Sequence, residues 1–232
     1  MARYPKNKRK EAIRDPRQTI YILCEGEKTE PIYLNHFRIR DPLITVKTYH
    51  SGRTDAKGIV NYARKMLQNP IFGPPNQIWC VYDVDANTPK QLIEALQISR
   101  QHPEISLFPS NPSFEIWYLY HFQDHPESLF NPELIQKLQS HYPDYAKNCD
   151  FLVWLIKSFS KHAFVKKMNQ AFSRSKKIAS STTDEEICLG KVNTSTLIYQ
   201  LIDKLFHIQH NKPIGLISDL KTYFEMLYDT NK

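Results

Sequence analysis

The chain has 232 residues, 41% of them hydrophobic and 24% charged, with a formal net charge of +7 and a pI near 9.1. That is enough chain for one large domain or a domain with a sizeable appendage, at a composition close to that of a soluble globular protein. No run reaches the roughly 20 apolar residues of a membrane span, the basic N-terminus lacks the apolar stretch of a secretory signal, and four scattered cysteines without a CxxC pair exclude a disulfide frame or a zinc site, as expected of reduced thiols in a cytoplasmic protein.

Residues 1–17 are basic, polar and without periodicity, and read as a flexible arm. A short apolar run over 19–24 predicts a buried strand, followed by a turn at Gly26 and a helix from about 29 to 38. Alternation over 43–49 predicts a second strand, 55–68 a helix, and 77–82 a third strand. Asn87-Thr88-Pro89 opens a helix to about 101. Residues 104–108 form a fourth strand, and Asn111-Pro112-Ser113 is expected to cap a helix through 121. This β-α alternation indicates an α/β fold with a mostly parallel sheet and flanking helices. The rest reads as a helical C-terminal extension with helices near 131–141, 150–160, 161–177, 193–210 and 214–228, while the Ser-, Thr- and Lys-rich stretch 173–184 reads as a loop. The expected units are an arm over 1–17, a core over 18–125 and an extension over 126–232.

Two strands end in acid. Leu23-Cys24 runs into Glu25-Gly26-Glu27, and Val81-Tyr82 runs into Asp83-Val84-Asp85. In open α/β sheets the carboxyl edge is where ligands bind. Carboxylates converging there repel one another unless a cation lies between them, which suggests Mg²⁺ or Mn²⁺. Asp83 and Asp85, two apart, would point the same way in extended backbone, about 7 Å from each other. Glu30 begins a helix, where the macrodipole alone favours an acid, or it belongs to the site. Glu27 is a further site acid or an exposed turn charge. Asn111 and Glu115 follow the fourth strand and either serve the helix start or contact metal or substrate. His121 and His125 stand four apart but lack a third ligand, so packing roles are preferred, as they are for Trp117 and its aromatic neighbours. No GxxxxGK[ST] pattern is present, which argues against an intrinsic P-loop ATPase.

The basic excess is clustered. Residues 157–177 carry seven Lys or Arg and no acid, Lys166, Lys167, Lys176 and Lys177 among them. Together with the arm and with Lys28, which is either a phosphate contact or a solvated charge, this points to a polyanionic partner, RNA or DNA.

Cys24-Glu25-Gly26-Glu27-Lys28-Thr29-Glu30, Trp79-Cys80-Val81-Tyr82-Asp83-Val84-Asp85, Ser110-Asn111-Pro112-Ser113-Phe114-Glu115-Ile116-Trp117, His121-Phe122 and the late Asn193-Thr194-Ser195-Thr196 resemble the RloB family, over nearly the whole chain after residue 17. The resemblance implies a TOPRIM-like domain in which Glu25 matches the family glutamate and Asp83 and Asp85 match the DxD pair, as both metal ligands and catalytic residues. It also implies an AAA-type ATPase partner encoded nearby and a role in prokaryotic defence against phage or plasmids. The expected function is metal-dependent cleavage of a phosphodiester in RNA or DNA. The alternatives are a non-catalytic regulatory or nucleic-acid-binding partner of that ATPase and, less favoured without a nucleotide-binding loop, nucleotidyl transfer.

Overall fold

The computed structural model describes residues 18–37, 44–69, 77–124, 128–210 and 217–232. The basic arm over 1–17 and His125 lie outside the described residues. The first half winds as β1 (Gln18–Cys24), α1 (Thr29–Asn35), β2 (Ile44–His50), α2 (Ala56–Gln68), β3 (Gln77–Asp83), α3 (Pro89–Gln101), β4 (Ile105–Asn111) and α4 (Glu115–Leu119). The second half adds α5 (Asn131–His141), α6 (Phe151–Ser158), α7 (Lys161–Ala179), α8 (Asp184–Cys188), β5 (Ser195–Thr196), α9 (Ile198–His210) and α10 (Ile217–Asn231). No described helix is long and apolar enough to cross a membrane.

Five strands form one sheet in the order β2-β1-β3-β4-β5, with β1 to β4 parallel and β5 antiparallel to β4. Period-two alternation sorts each strand between two cores. Ile20, Ile22, Cys24, Trp79 and Val81 face α1, α4 and the C-terminal helices. Tyr21, Leu23, Ile78, Cys80 and Tyr82 face α2 and α3. Helices cover both faces, so the strands carry near-continuous apolar runs.

The fold departs from the expected elements at several points. β4 extends through Asn111, and Asn111 caps nothing: α4 starts at Glu115, and Asn111 Nδ2 instead donates to the carbonyls of Gly190 (3.2 Å) and Val192 (2.9 Å). The stretch 173–184 is a loop only over 180–183. α7 runs to Ala179 because Ser175 and Ile178 continue its buried face, and α8 follows at once behind a reciprocal cap between Thr183 and Glu186. The expected helix from 193 begins at Ile198, after β5 has joined the sheet. The extension therefore completes the sheet, and its helices share one apolar core with the strands. His121 is a packing residue, as expected: it is buried, with Nδ1 facing the carbonyls of Trp117 and Tyr118, and burial pushes its imidazole down to about 3.

One polar link joins the two halves at a point remote in sequence. His36, just beyond α1, faces an acceptor with each ring nitrogen: Asp150 Oδ2 at 2.8 Å and Asn231 Oδ1 at 2.8 Å. Asn231 is oriented by donating to Leu227 O, and Asp150 also caps α6 through Val153 N. Two acceptors call for two donors, which only the imidazolium supplies. Desolvation opposes the charge, but the bonds to Asp150 and Asn231 prevail and raise the pKa above 6.5. A raised folded pKa stabilises the fold fully below the unfolded value, and that stabilisation is lost as pH rises through the folded value. Urea unfolding at pH 6 and pH 8 should show His36→Gln losing on the order of 1 kcal/mol at pH 6 and less at pH 8; a pH-independent difference would remove the imidazolium from the account.

Candidate metal centre

The site arises where the strand order reverses. From β1 the chain crosses to β2 on one side, then returns to β3 on the other, and such a switch point opens a crevice beyond the carboxyl ends of the two strands. The register pairs Cys24 with Val81, and Glu25 N donates to Val81 O at 3.1 Å. Glu25 therefore lies beside the end of β3, where its Oε2 accepts from Asp83 N at 3.0 Å. Asp83, the last residue of β3, accepts from Phe114 N through Oδ1 at 2.9 Å. One oxygen of each carboxylate is thus oriented by a main-chain N–H, leaving the other for a ligand.

A cleft of about 400 Å³ opens here, lined by Glu25, Glu27, Glu30, Asp83 and Glu115 together with Lys28 and Lys147. Glu30 is buried and turns back to accept from Gly26 N at 2.9 Å. Gly26 permits this approach, since a Cβ there would run into the Glu30 carboxylate. Glu115 is buried and accepts from Ser113 Oγ at 2.7 Å and from Tyr145 Oη at 2.9 Å. Glu27 is exposed and 3.8 Å from His50 Nε2, so it is a lip charge.

The expected extended geometry across Asp83 and Asp85 is absent. β3 stops at Asp83 and the chain turns, with Val84 N donating to Ser110 O and Asp85 N to Pro112 O. Asp85 is exposed, and its Oδ2 accepts from Asn131 Nδ2. It acts on the cleft through its charge, which raises the pKa of both Glu25 and Asp83. Asn111 is directed away into the 190–192 loop. Of the predicted nucleic-acid contacts, Lys28 lines the cleft, while Lys166, Lys176 and Lys177 are exposed on α7. Lys167 is packed over the rings of Phe122 and Phe159, 4.4 Å from each centroid.

Sequence reasoning missed Ser113, Asn131, Tyr145 and Lys147. Ser113 sits inside the Asn111–Trp117 motif, where its own role had no separate signal; the other three come from the extension and meet the acids only through tertiary packing.

The electrostatics are those of crowded, desolvated acids. Burial, with Glu30, Asp85 and Asp55 nearby, pushes Glu25 up to about 7 against the opposing bond from Asp83 N. Burial and then Glu30, Glu115, Glu25 and Asp85 push Asp83 well above the usual carboxylate range. Burial also raises Glu30 and Asp85, each partly offset by Lys147. Oxygen donors of this kind suit a hard divalent cation. Among the described residues no three His, Cys, Asp or Glu side chains form a ready cage. Glu25 and Asp83, each with one oxygen already oriented by a main-chain N–H, are the residues that could hold such an ion with water completing its shell.

Raised carboxyl pKa values favour the fold while the groups are protonated. Glu25 contributes fully below about 4.5, and that contribution fades as pH rises through about 7. The melting temperature of the metal-free protein should therefore fall between pH 5 and 8, and Glu25→Gln should flatten the fall. Parallel curves for the two proteins would contradict the assignment.

The model of the RloB-like protein family matches residues 20–205. No curated protein and no solved structure matches the chain significantly. The matched stretch covers most of the chain and contains every cleft carboxylate: the protein belongs to the RloB-like family.

Proposed function

We propose that the protein is a metal-dependent phosphodiester hydrolase acting on RNA or DNA, with a TOPRIM-like core, in prokaryotic defence and under the control of an AAA-type ATPase. The observation that carries the chemistry is the gathering of Glu25, Glu30, Asp83 and Glu115 in one cleft at the switch point, with Asp85 beside it. Acids so crowded call for positive charge that the protein only partly supplies. The resemblance of the motifs to the RloB family supports the defence context and the ATPase.

Glu25 and Asp83 would hold Mg²⁺ or Mn²⁺, with Asp85 as the third acid of the set. When bound, the ion supplies Lewis-acid polarisation of the phosphate and a more acidic water for attack. Main-chain donors from Asp83 and Phe114 keep the two carboxylates aimed before the ion arrives, so little reorganisation is required on binding. Lys166, Lys176 and Lys177, with Lys28 at the cleft, would hold the polyanionic backbone. Lys167 is better assigned to packing, since its ammonium already rests on two rings and is partly desolvated.

Glu25→Gln and Asp83→Asn remove charge at nearly constant volume. Each variant should fold, melt at or above the wild-type temperature, and lose Mg²⁺-dependent cleavage of labelled RNA and DNA, assayed alone and with the co-encoded ATPase. Mn²⁺ should raise the melting temperature of the wild type but not of the double variant. A well-folded double variant with full biological activity in cells would leave the non-catalytic regulatory reading as the better one.

Replacing Lys166, Lys176 and Lys177 with Ala should weaken nucleic-acid binding and reduce the salt dependence by about one unit of log–log slope per phosphate interaction removed. Unchanged slope would make this face of α7 a solvated surface only.

A further inference from the structure

The loop between α5 and α6 delivers a cation into the acidic cleft. Lys147 lines the cleft, with its Nζ 3.9 Å from Glu115 Oε1. Its main chain is tethered: Lys147 O accepts from Thr29 Oγ1 at 2.8 Å, next to the start of α1. Two residues earlier Tyr145 is anchored twice, by donating its hydroxyl to Glu115 at 2.9 Å and by accepting from Gln139 Nε2 at its carbonyl at 3.3 Å. The backbone around Lys147 is therefore fixed while its side chain stays 68% exposed.

That combination does not suit a lysine whose task is to neutralise Glu115. A charge-assisted bond of that kind closes to about 2.8 Å, and Glu115 already has Ser113 and Tyr145 as close donors. The ammonium stands just beyond bonding range with its donors uncommitted to Glu115, in a cleft that Lys28 also lines. A phosphodiester approaching several carboxylates meets repulsion, which an ammonium at the mouth offsets. The charge of Lys147 is felt within the cluster, where it lowers the pKa of Glu30 and of Asp85.

We propose that Lys147 is a phosphate-binding cation of the cleft alongside Lys28, presenting its ammonium to a non-bridging oxygen of a nucleic-acid backbone phosphate. The inference rests on the phosphodiesterase reading for its ligand. It assigns to the helical extension the contact that seats the backbone over Glu25 and Asp83.

The test is equilibrium binding of fluorescent single-stranded RNA and DNA oligonucleotides to the full chain, read by anisotropy across a salt series in Ca²⁺. Mn²⁺ affinity is measured alongside by calorimetry. Lys147→Ala should weaken oligonucleotide binding about tenfold and lower the salt slope by about one unit, and Lys147→Arg should restore most of both. Mn²⁺ affinity should stay equal or tighten, because a competing cation is gone. Wild-type affinity and slope in Lys147→Ala would overturn the proposal. So would a loss of oligonucleotide binding matched by equal losses of Mn²⁺ affinity and melting temperature, which marks a structural role. A wild type that binds oligonucleotide through Lys147 yet cuts nothing in Mg²⁺ or Mn²⁺ would sink the hydrolase reading and uphold this one. A wild type that binds no oligonucleotide would sink both.

Discussion

The parallel pairing of β1 with β3 is the constraint on which the rest of the structure depends. Because β2 lies on the far side of β1, the loops leaving β1 and β3 diverge, and a crevice opens between them. Pairing Cys24 with Val81 sets Glu25 against the last residue of β3, and a single bond from Asp83 N to Glu25 locks the two acids together. A slip of β1 by one residue would turn that strand inside out, moving Ile22 and Leu23 to the wrong cores and dissolving the cluster. The dry cores that enforce the register are therefore also what holds the acids in place.

That placement works against stability. Burial holds Glu25, Glu30, Asp83 and Asp85 all at raised pKa; Glu115 adds to the rise at Glu30, Asp83 and Asp85, and Glu30 and Asp85 add to it at Glu25 and Asp83. The structure compensates locally with main-chain donors from Gly26, Asp83 and Phe114, with Ser113, Asn131 and Tyr145, and with the ammonium of Lys147. Most of these partners orient a carboxylate without neutralising it. The cluster is organised while remaining short of positive charge, which is the physical basis for reading it as a cation site.

Much of the first half was legible because its signals are local. Short apolar runs ending at Glu25 and Asp83 mark buried parallel strands, and Thr88-Pro89 marks a helix start with a reciprocal cap from Gln91. The RloB motifs were legible for the same reason, being contiguous, and the family match over 20–205 agrees with them. What stayed hidden depends on distant chain. β5 is only Ser195 and Thr196, too short for any period, and exists because Ser110 and Asn111 offer an edge. The stretch after Ser173 looks polar in sequence, yet a Ser and an Ile at helical spacing suffice to bury one side of it. Asn111 resembles a helix cap until the carbonyls of Gly190 and Val192 are seen beside it. Asn131, Tyr145 and Lys147 carry no local signal, because their roles come from a fold that brings them back 30 or more residues later.

The antiparallel edge strand sets an order on the ripening of the molecule. A chain emerging from the ribosome exposes all its cleft acids by residue 115, yet Tyr145 and Lys147 arrive about 30 residues later and β5 about 80 later. Until Ser195 and Thr196 emerge, the outer rim of β4 lies bare, and the carbonyls of Gly190 and Val192 that hold Asn111 have only just been made. The nascent protein thus carries its acids about 30 residues before the Tyr145 and Lys147 that complete their surroundings, and the edge of β4 stays open for about 50 residues more.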